Sequence, residues 1–249
     1  MIRIFREVRE YAISGNKLRK YTMYALGEIV LVVIGILLAL QIDQMKEQTK
    51  QDAEEIRILT DLKEDLTSDI SQLKTNILNA KGRQLKIDSV FDILSKPNNV
   101  KVNHFLELNF AIAIEDHFDL NSGYFDESIS SGNINFIKQD SIRKQIFDYY
   151  RVTKINYTDN NTIKQIYENI IPQFFKTFVP SKEFIGGFLN KPTILPSLDV
   201  EALALDKDYI SILTLKYRTE HHQILSWEKY LKSAQSLSGN IEKELKRLH

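Results

Sequence analysis

The chain has 249 residues, with 33 basic and 33 acidic side chains and no cysteine. Disulfides, thiolate nucleophiles and cysteine zinc sites are thereby excluded, and zero net charge argues against nucleic acid, whose binders carry a basic excess. The length is ample for a sizeable core, and 9 Gly with 5 Pro disfavour a turn-rich β-sandwich and favour helices.

Residues 1–22 read as a basic, cytoplasmic leader. Ile2, Phe5, Val8 and Ala12 recur at helical spacing, while Arg3, Arg6 and Arg9 form a separate cationic stripe. Lys17, Arg19 and Lys20 follow a break at Ser14-Gly15-Asn16. These six cations suit contact with anionic headgroups by a short helix lying on the bilayer. A frayed basic tail that only sets topology fits the same pattern.

Residues 23–42, "MYALGEIVLVVIGILLALQI", hold one charge in 20 residues. As a helix this is roughly 30 Å, about one hydrocarbon thickness. Cleavage as a signal peptide is disfavoured, because "LLALQID" is a poor small-x-small site and the leader before the apolar core is long. An uncleaved signal anchor is expected. Cations dominate before the span, whereas Lys46, Lys50 and Arg57 are mixed with acids after it. The positive-inside bias places the N-terminus in the cytoplasm of a bacterium, and residues 43–249 in the periplasm, anchored to the inner membrane.

Within the span, Ala25, Glu28, Val32, Gly35 and Ala39 share one stripe, mostly of small residues that let helices approach closely. Its Glu28 lies about 8 Å inside the cytoplasmic end. Three roles stay open for that carboxylate: snorkelling to the interface, recognition of a partner membrane helix, and ion or proton passage.

Beyond the span, Ile56, Leu59, Leu62, Leu66, Ile70, Leu73 and Ile77 form an apolar stripe at three- and four-residue spacing. The membrane helix either continues into this one or breaks near Gln48, and Gly82 is expected to end or kink it. "GRQLKIDSVFDILSK" supplies the next helix, stopped at Pro97-Asn98-Asn99. "VNHFLELNFAIAIEDHF" reads as helix. "GYFDESISSGNINFIKQD" reads as a short helix closed by Gly132, a turn, and Asp140 capping the next helix. "DSIRKQIFDYYRVTKINY" and "TIKQIYENIIPQFFKTF" read as helices, the second kinked at Pro172, and Pro180 to Pro196 as a loop. Asp206 caps a long final helix, with a possible bend at Gly239. The expected fold is all-α: a signal-anchor transmembrane helix, then a periplasmic helical bundle with long first and last helices.

"KYTMYALGEIVLVVIGILLALQI" and "SGYFDESISSGNINFIKQDSIRKQIFDYY" together resemble a family of small single-pass membrane proteins of Gram-negative bacteria whose function is unknown. The resemblance implies an inner-membrane anchor and a helical periplasmic domain. It brings no activity, ligand or catalytic residue to transfer.

No Gly-rich phosphate loop, G-x-S-x-G elbow or H-E-x-x-H motif occurs, so no catalytic residue, cofactor or metal is assigned. Glu220, His221 and His222 could meet Asp116 and His117 in space, but nothing in the spacing requires it. The aromatic residues Phe147, Tyr149, Tyr150, Tyr157, Tyr167, Phe174, Phe175 and Phe178 read as core. A leader of 22 residues leaves no room for a cytoplasmic output domain. The leading expectation is a non-catalytic accessory, scaffold or sensing subunit. Its partners would be the lipid bilayer and, through the membrane helix, itself or another membrane protein. A homo-oligomeric channel or transport component with Glu28 at the inner mouth is the alternative. A stripe of Val32, Gly35 and Ala39 above Glu28 suits packing better than a wet conduit.

Overall fold

The computed structural model describes residues 17–98, 100–154, 164, 168 and 199–248. Its described residues are helical or irregular, with no strand. The elements are α1 (Lys17–Ser95), α2 (Val102–Asn109), a 3-10 turn (Phe110–Ile112), α3 (Gly123–Ser130), a second 3-10 turn (Asn133–Phe136), α4 (140–154), α5 (Val200–Leu205) and α6 (Lys207–Leu248). A long N-terminal helix and a long C-terminal helix dominate, as the periodicity predicts. Two compact units divide the chain, Met1–Glu54 and Glu55–His249.

The first unit contains the apolar stretch of α1, and α1 is assigned as helix without a break at Gln48. Residues 21–50 are all exposed, among them Ile29, Leu31, Val33, Ile34, Leu37 and Leu38. An exposed run of this kind is unfavourable in water at about 25 cal/mol per Å² of apolar surface. The helix is long and apolar enough to cross a membrane, with a mean hydropathy of 2.5 in its most apolar window.

In the second unit α1 and α6 run antiparallel and bury three successive apolar clusters. Ile58, Leu59, Leu62 and Leu66 meet Ala234, Leu237 and Ile241, with Ile142, Ile146, Tyr149 and Tyr150 of α4 closing the same cluster. Leu73, Ile77 and Ala80 meet Ile224, Trp227 and Tyr230. Ile87, Val90 and Leu94 meet Tyr209, Ile212 and Leu213, capped by Phe105 and Leu106 of α2 and Val200 and Leu203 of α5. The predicted stripe is thus a core seam. Ile58 joins it from outside the predicted register, while Ile56 and Ile70 are only half-buried.

Gly82 does not end α1, contrary to expectation. A glycine inside a helix costs about 1 kcal/mol relative to alanine, and burial of Ala80, Ile87 and Val90 on either side outweighs that. The helix instead ends at Ser95, just before Pro97. Gly239 likewise lies within α6 without interrupting it. The helix predicted over "VNHFLELNFAIAIEDHF" stops at Asn109, and residues 114–122 have no regular structure. Gly132 closes α3 as expected, at φ +77°, the left-handed region that glycine adopts without a Cβ clash. Asp140 lies in the first turn of α4 rather than capping it. Gln139 holds the capping place, its carbonyl accepting from the N–H groups of Ile142 and Arg143, and Asp140 pairs with Arg143. Asp206 does cap α6: its Oδ1 accepts from the backbone N–H groups of Asp208 at 2.9 Å and Tyr209 at 3.2 Å. The helix predicted over 162–178 and the loop over 180–196 lie outside the described residues, apart from Lys164 and Glu168.

Leu66 and Leu73 are both 0% exposed. Leu66→Asp or Leu73→Asp is expected to destabilise the second unit by about 3–5 kcal/mol, through the lost apolar burial and an unpaired charge in its place. Chemical denaturation followed by circular dichroism checks this, and a change below about 1 kcal/mol would place the seam at the surface.

Candidate functional site

Residues 114–121 form a strap laid along α1. An extended segment of this kind has no helical or ladder partners for its backbone, and buried N–H and C=O groups without partners are costly. Polar side chains of α1 supply the partners. Asp69, Gln72, Asn76, Asn79 and Arg83 recur at spacings of three and four, which aligns them on one face of the helix. Asp69 Oδ1 accepts from the N–H of Asn121 at 3.0 Å and from its Nδ2 at 2.7 Å. Gln72 Oε1 accepts from the N–H of Asp119 at 2.6 Å, and its Nε2 donates to the carbonyl of the same residue at 3.4 Å. Asn76 Nδ2 donates to the His117 carbonyl at 2.7 Å. Asn79 Nδ2 donates to Asp116 Oδ1 at 3.4 Å. Phe118 is buried beside Tyr230 in the central cluster, so the strap is pinned by apolar burial as well.

One end of the strap is closed by a buried ion cluster. Arg83 grips Glu220 of α6 through two bonds, Nε to Oε1 at 2.8 Å and Nη2 to Oε2 at 3.0 Å. Its Nη1 donates to Asp116 of the strap at 2.5 Å. Lys216, one turn before Glu220, reaches the same Oε1 at 2.7 Å and donates to the Ile114 carbonyl at 2.7 Å. Glu220 and Lys216 are both 0% exposed, and Arg83 is nearly so. Burial pushes the Lys216 ammonium down from 10.5 to about 8, with Glu220 opposing that shift and Arg83 adding to it. Arg83 is held above its ordinary value. Its burial is the largest single influence and acts to lower it, but the Glu220 and Asp116 carboxylates together outweigh that. Such a cluster holds elements in register more than it adds net stability, and removing one partner costs about 3–5 kcal/mol because the others stay buried unpaired.

The other end of the strap rests on a second polar group. Tyr149 Oη donates to Asp69 Oδ2 at 2.7 Å. Burial raises the Asp69 carboxyl above its ordinary range against the hydrogen bonds from Tyr149 and Asn121. Asp65, one turn earlier, is raised chiefly by burial and also by the neighbouring acids Asp69, Asp61 and Glu64. Burial holds the Tyr149 and Tyr150 hydroxyls well above the usual range.

The convergence that the sequence allowed is half realised. Glu220 and Asp116 meet, but on Arg83, while His117, His221 and His222 stay exposed. Among the described residues, no group of three or more His, Cys, Asp or Glu side chains is placed to hold a metal ion. Of the aromatic residues read as core, Tyr149 and Tyr150 are core and Phe147 is 42% exposed. Tyr157, Tyr167, Phe174, Phe175 and Phe178 lie outside the described residues. Arg83, Lys216 and the polar stripe itself were not picked out from the sequence. The three-four recurrence of Asp69, Gln72, Asn76, Asn79 and Arg83, one position ahead of the apolar Ile70, Leu73, Ile77 and Ala80, was the available signal.

In the first unit, Ala25, Glu28, Val32, Gly35 and Ala39 all lie in α1 and are exposed. Beyond the helix's own backbone and the adjoining residues, the space beside Gly35 is open. Lys17, Arg19 and Lys20 fall in the first turn of α1 by backbone, whereas Arg3, Arg6 and Arg9 lie outside the described residues.

Among the described residues these features define an all-helical architecture, with one helix apolar enough to span a membrane and a second unit held by a polar ladder. The model of DUF6090, a family of unknown function, matches residues 28–220, and the chain belongs to that family. The matched range takes in the apolar stretch from Glu28, the strap, and Arg83, Lys216 and Glu220. No curated protein and no solved structure matches the chain.

The Lys216 shift has a signed consequence. Unfolded chains keep that proton up to about pH 10.5, while the folded protein releases it near 8. Between those values the unfolded state binds more protons, so this group makes stability rise with pH. The melting temperature of the parent, taken relative to Lys216→Met, is therefore expected to climb from pH 8 to pH 10. A flat difference would mean that Lys216 is hydrated.

Proposed function

We propose that this DUF6090 member is a single-pass inner-membrane protein of a Gram-negative bacterium. Its span over residues 23–42 is an uncleaved signal anchor, and its helical domain lies in the periplasm as a non-catalytic accessory, scaffold or sensing subunit of a membrane complex. The observation that carries this reading is the exposed apolar run of α1, which has a mean hydropathy of 2.5 and none of that window buried. Lipid is the environment in which such a surface is stable. The cations before the span and the mixed charge after it support the orientation. The non-catalytic part rests on how the second unit uses its buried charges: Arg83, Lys216, Glu220 and Asp116 are engaged with one another and with the strap. Partners dock through the stripe of Ala25, Glu28, Val32, Gly35 and Ala39, where small residues permit close helix approach. The six cations of the leader, Arg3, Arg6, Arg9, Lys17, Arg19 and Lys20, meet anionic headgroups.

A reporter active only in the periplasm is expected to be active when fused after His249 and silent at the N-terminus. The intact chain should stay in membranes through alkaline carbonate washing. Release of a fragment starting near Gln41 would show that the apolar run is a cleaved signal peptide.

The stripe has its own test. Gly35→Leu is expected to lower in-membrane cross-linking by holding helices apart, while Leu37→Ile on another face leaves it unchanged. Equal yields from both variants and the parent would remove the stripe as a contact surface.

A further inference from the structure

The second unit carries a groove between α4 and α6 that the ladder and the ion cluster do not use. It has a volume of about 330 Å³ and is lined by Gln145 and Asp148 of α4 and by Lys229, Lys232, Ser233, Ser236 and Leu237 of α6. This is within the size range of small-molecule sites. Its apolar lining residue is Leu237, which is 2% exposed and belongs to the core cluster with Ile142, Ile146 and Tyr149. The two walls are tied together, because Asn240 Nδ2 of α6 donates to Gln145 Oε1 at 2.8 Å. That bond uses one lone pair of the Gln145 carbonyl oxygen and leaves the two N–H donors of the amide for another partner.

The charges of the lining are unequal. Asp148, its single acid, is already engaged by Arg151 at 2.8 Å. Among the described residues, neither Lys229 nor Lys232 has an ion-pair partner. Lys229, Lys232, Ser233 and Ser236 recur at helical spacing on one face of α6, so two lysines and two serines line the same opening. Donors therefore outnumber acceptors, and the excess charge is positive.

We propose that this groove binds a small multivalent oxyanion, a phosphate- or carboxylate-bearing solute, with Lys229 and Lys232 as its charge partners and Ser233, Ser236 and the Gln145 amide as neutral donors. Ammonium groups bind such oxyanions as point charges, through charge-assisted hydrogen bonds. The inference stands on the second unit alone and is independent of where the membrane lies.

The test uses the full chain in neutral detergent, titrated calorimetrically with inorganic phosphate and with citrate at constant ionic strength held by chloride. Saturable binding of at least one anion is expected. Each lysine contributes about tenfold in affinity, so Lys229→Gln with Lys232→Gln together should weaken it by about a hundredfold. Both side chains are exposed, so these variants should keep the parent's melting temperature. Lys243→Gln with Lys246→Gln, further along the same helix, should leave the affinity unchanged. Displacement of the anion by short-chain phosphatidylglycerol would assign a lipid headgroup as the natural source, and binding undisturbed by it would assign a free solute. Absence of saturable binding for both anions, or equal affinity in the parent and the Lys229/Lys232 variant, overturns the proposal.

Discussion

An extended segment cannot be laid against a helix unless something satisfies its backbone, because the helix has already spent its own N–H and C=O groups internally. In the second unit that constraint is met by side chains. Asp69, Gln72 and Asn76 bond to the backbone of Asn121, Asp119 and His117, and Arg83 and Asn79 take Asp116. With the strap held, Phe118 can enter the central cluster beside Tyr230, and Leu120 packs against both that cluster and the next. The Arg83–Glu220 contact then ties α1 to α6 at the same level, so the strap and the helix pair share one anchoring residue.

Much of this architecture was legible in the amino-acid order. The three-four recurrence from Leu59 to Ile77 identified the face of α1 that α6 covers, and Asp206 marked the start of α6 by its capping chemistry. Gly82 misled because a local preference of about 1 kcal/mol is small beside the burial of its neighbours. The strap was missed for a different reason. "AIAIEDHF" has the composition of a helix, and what keeps it extended is a set of partners some forty residues away on α1. Local pattern contains no such term. Glu220 and Asp116 were noticed among histidines, as possible ligands, while the arginine that joins them lies on another element.

That last point bears on function. A cluster of buried ionisable groups in an unassigned protein invites a catalytic reading, since perturbed groups concentrate at active sites. Structural ion pairs perturb titration in the same way, and here Arg83 and Lys216 are each bonded to the strap as well as to Glu220. In the structure both side chains attach the strap. The apolar run of α1 is long and apolar enough to cross a membrane, and the chain belongs to a family of unknown function.

The most direct measurement is hydrogen exchange of the strap amides in the full chain. The N–H groups of Asp119 and Asn121 are the two whose acceptors are side chains of α1. If the polar stripe and the ion cluster hold the strap, these two amides exchange as slowly as the buried amides of α1 and α6 around Leu73 and Trp227. Exchange at the rate of an unstructured peptide would mean that the strap is not held, that Arg83, Glu220 and Asp116 are open to other partners, and that their assignment as a structural clamp is wrong.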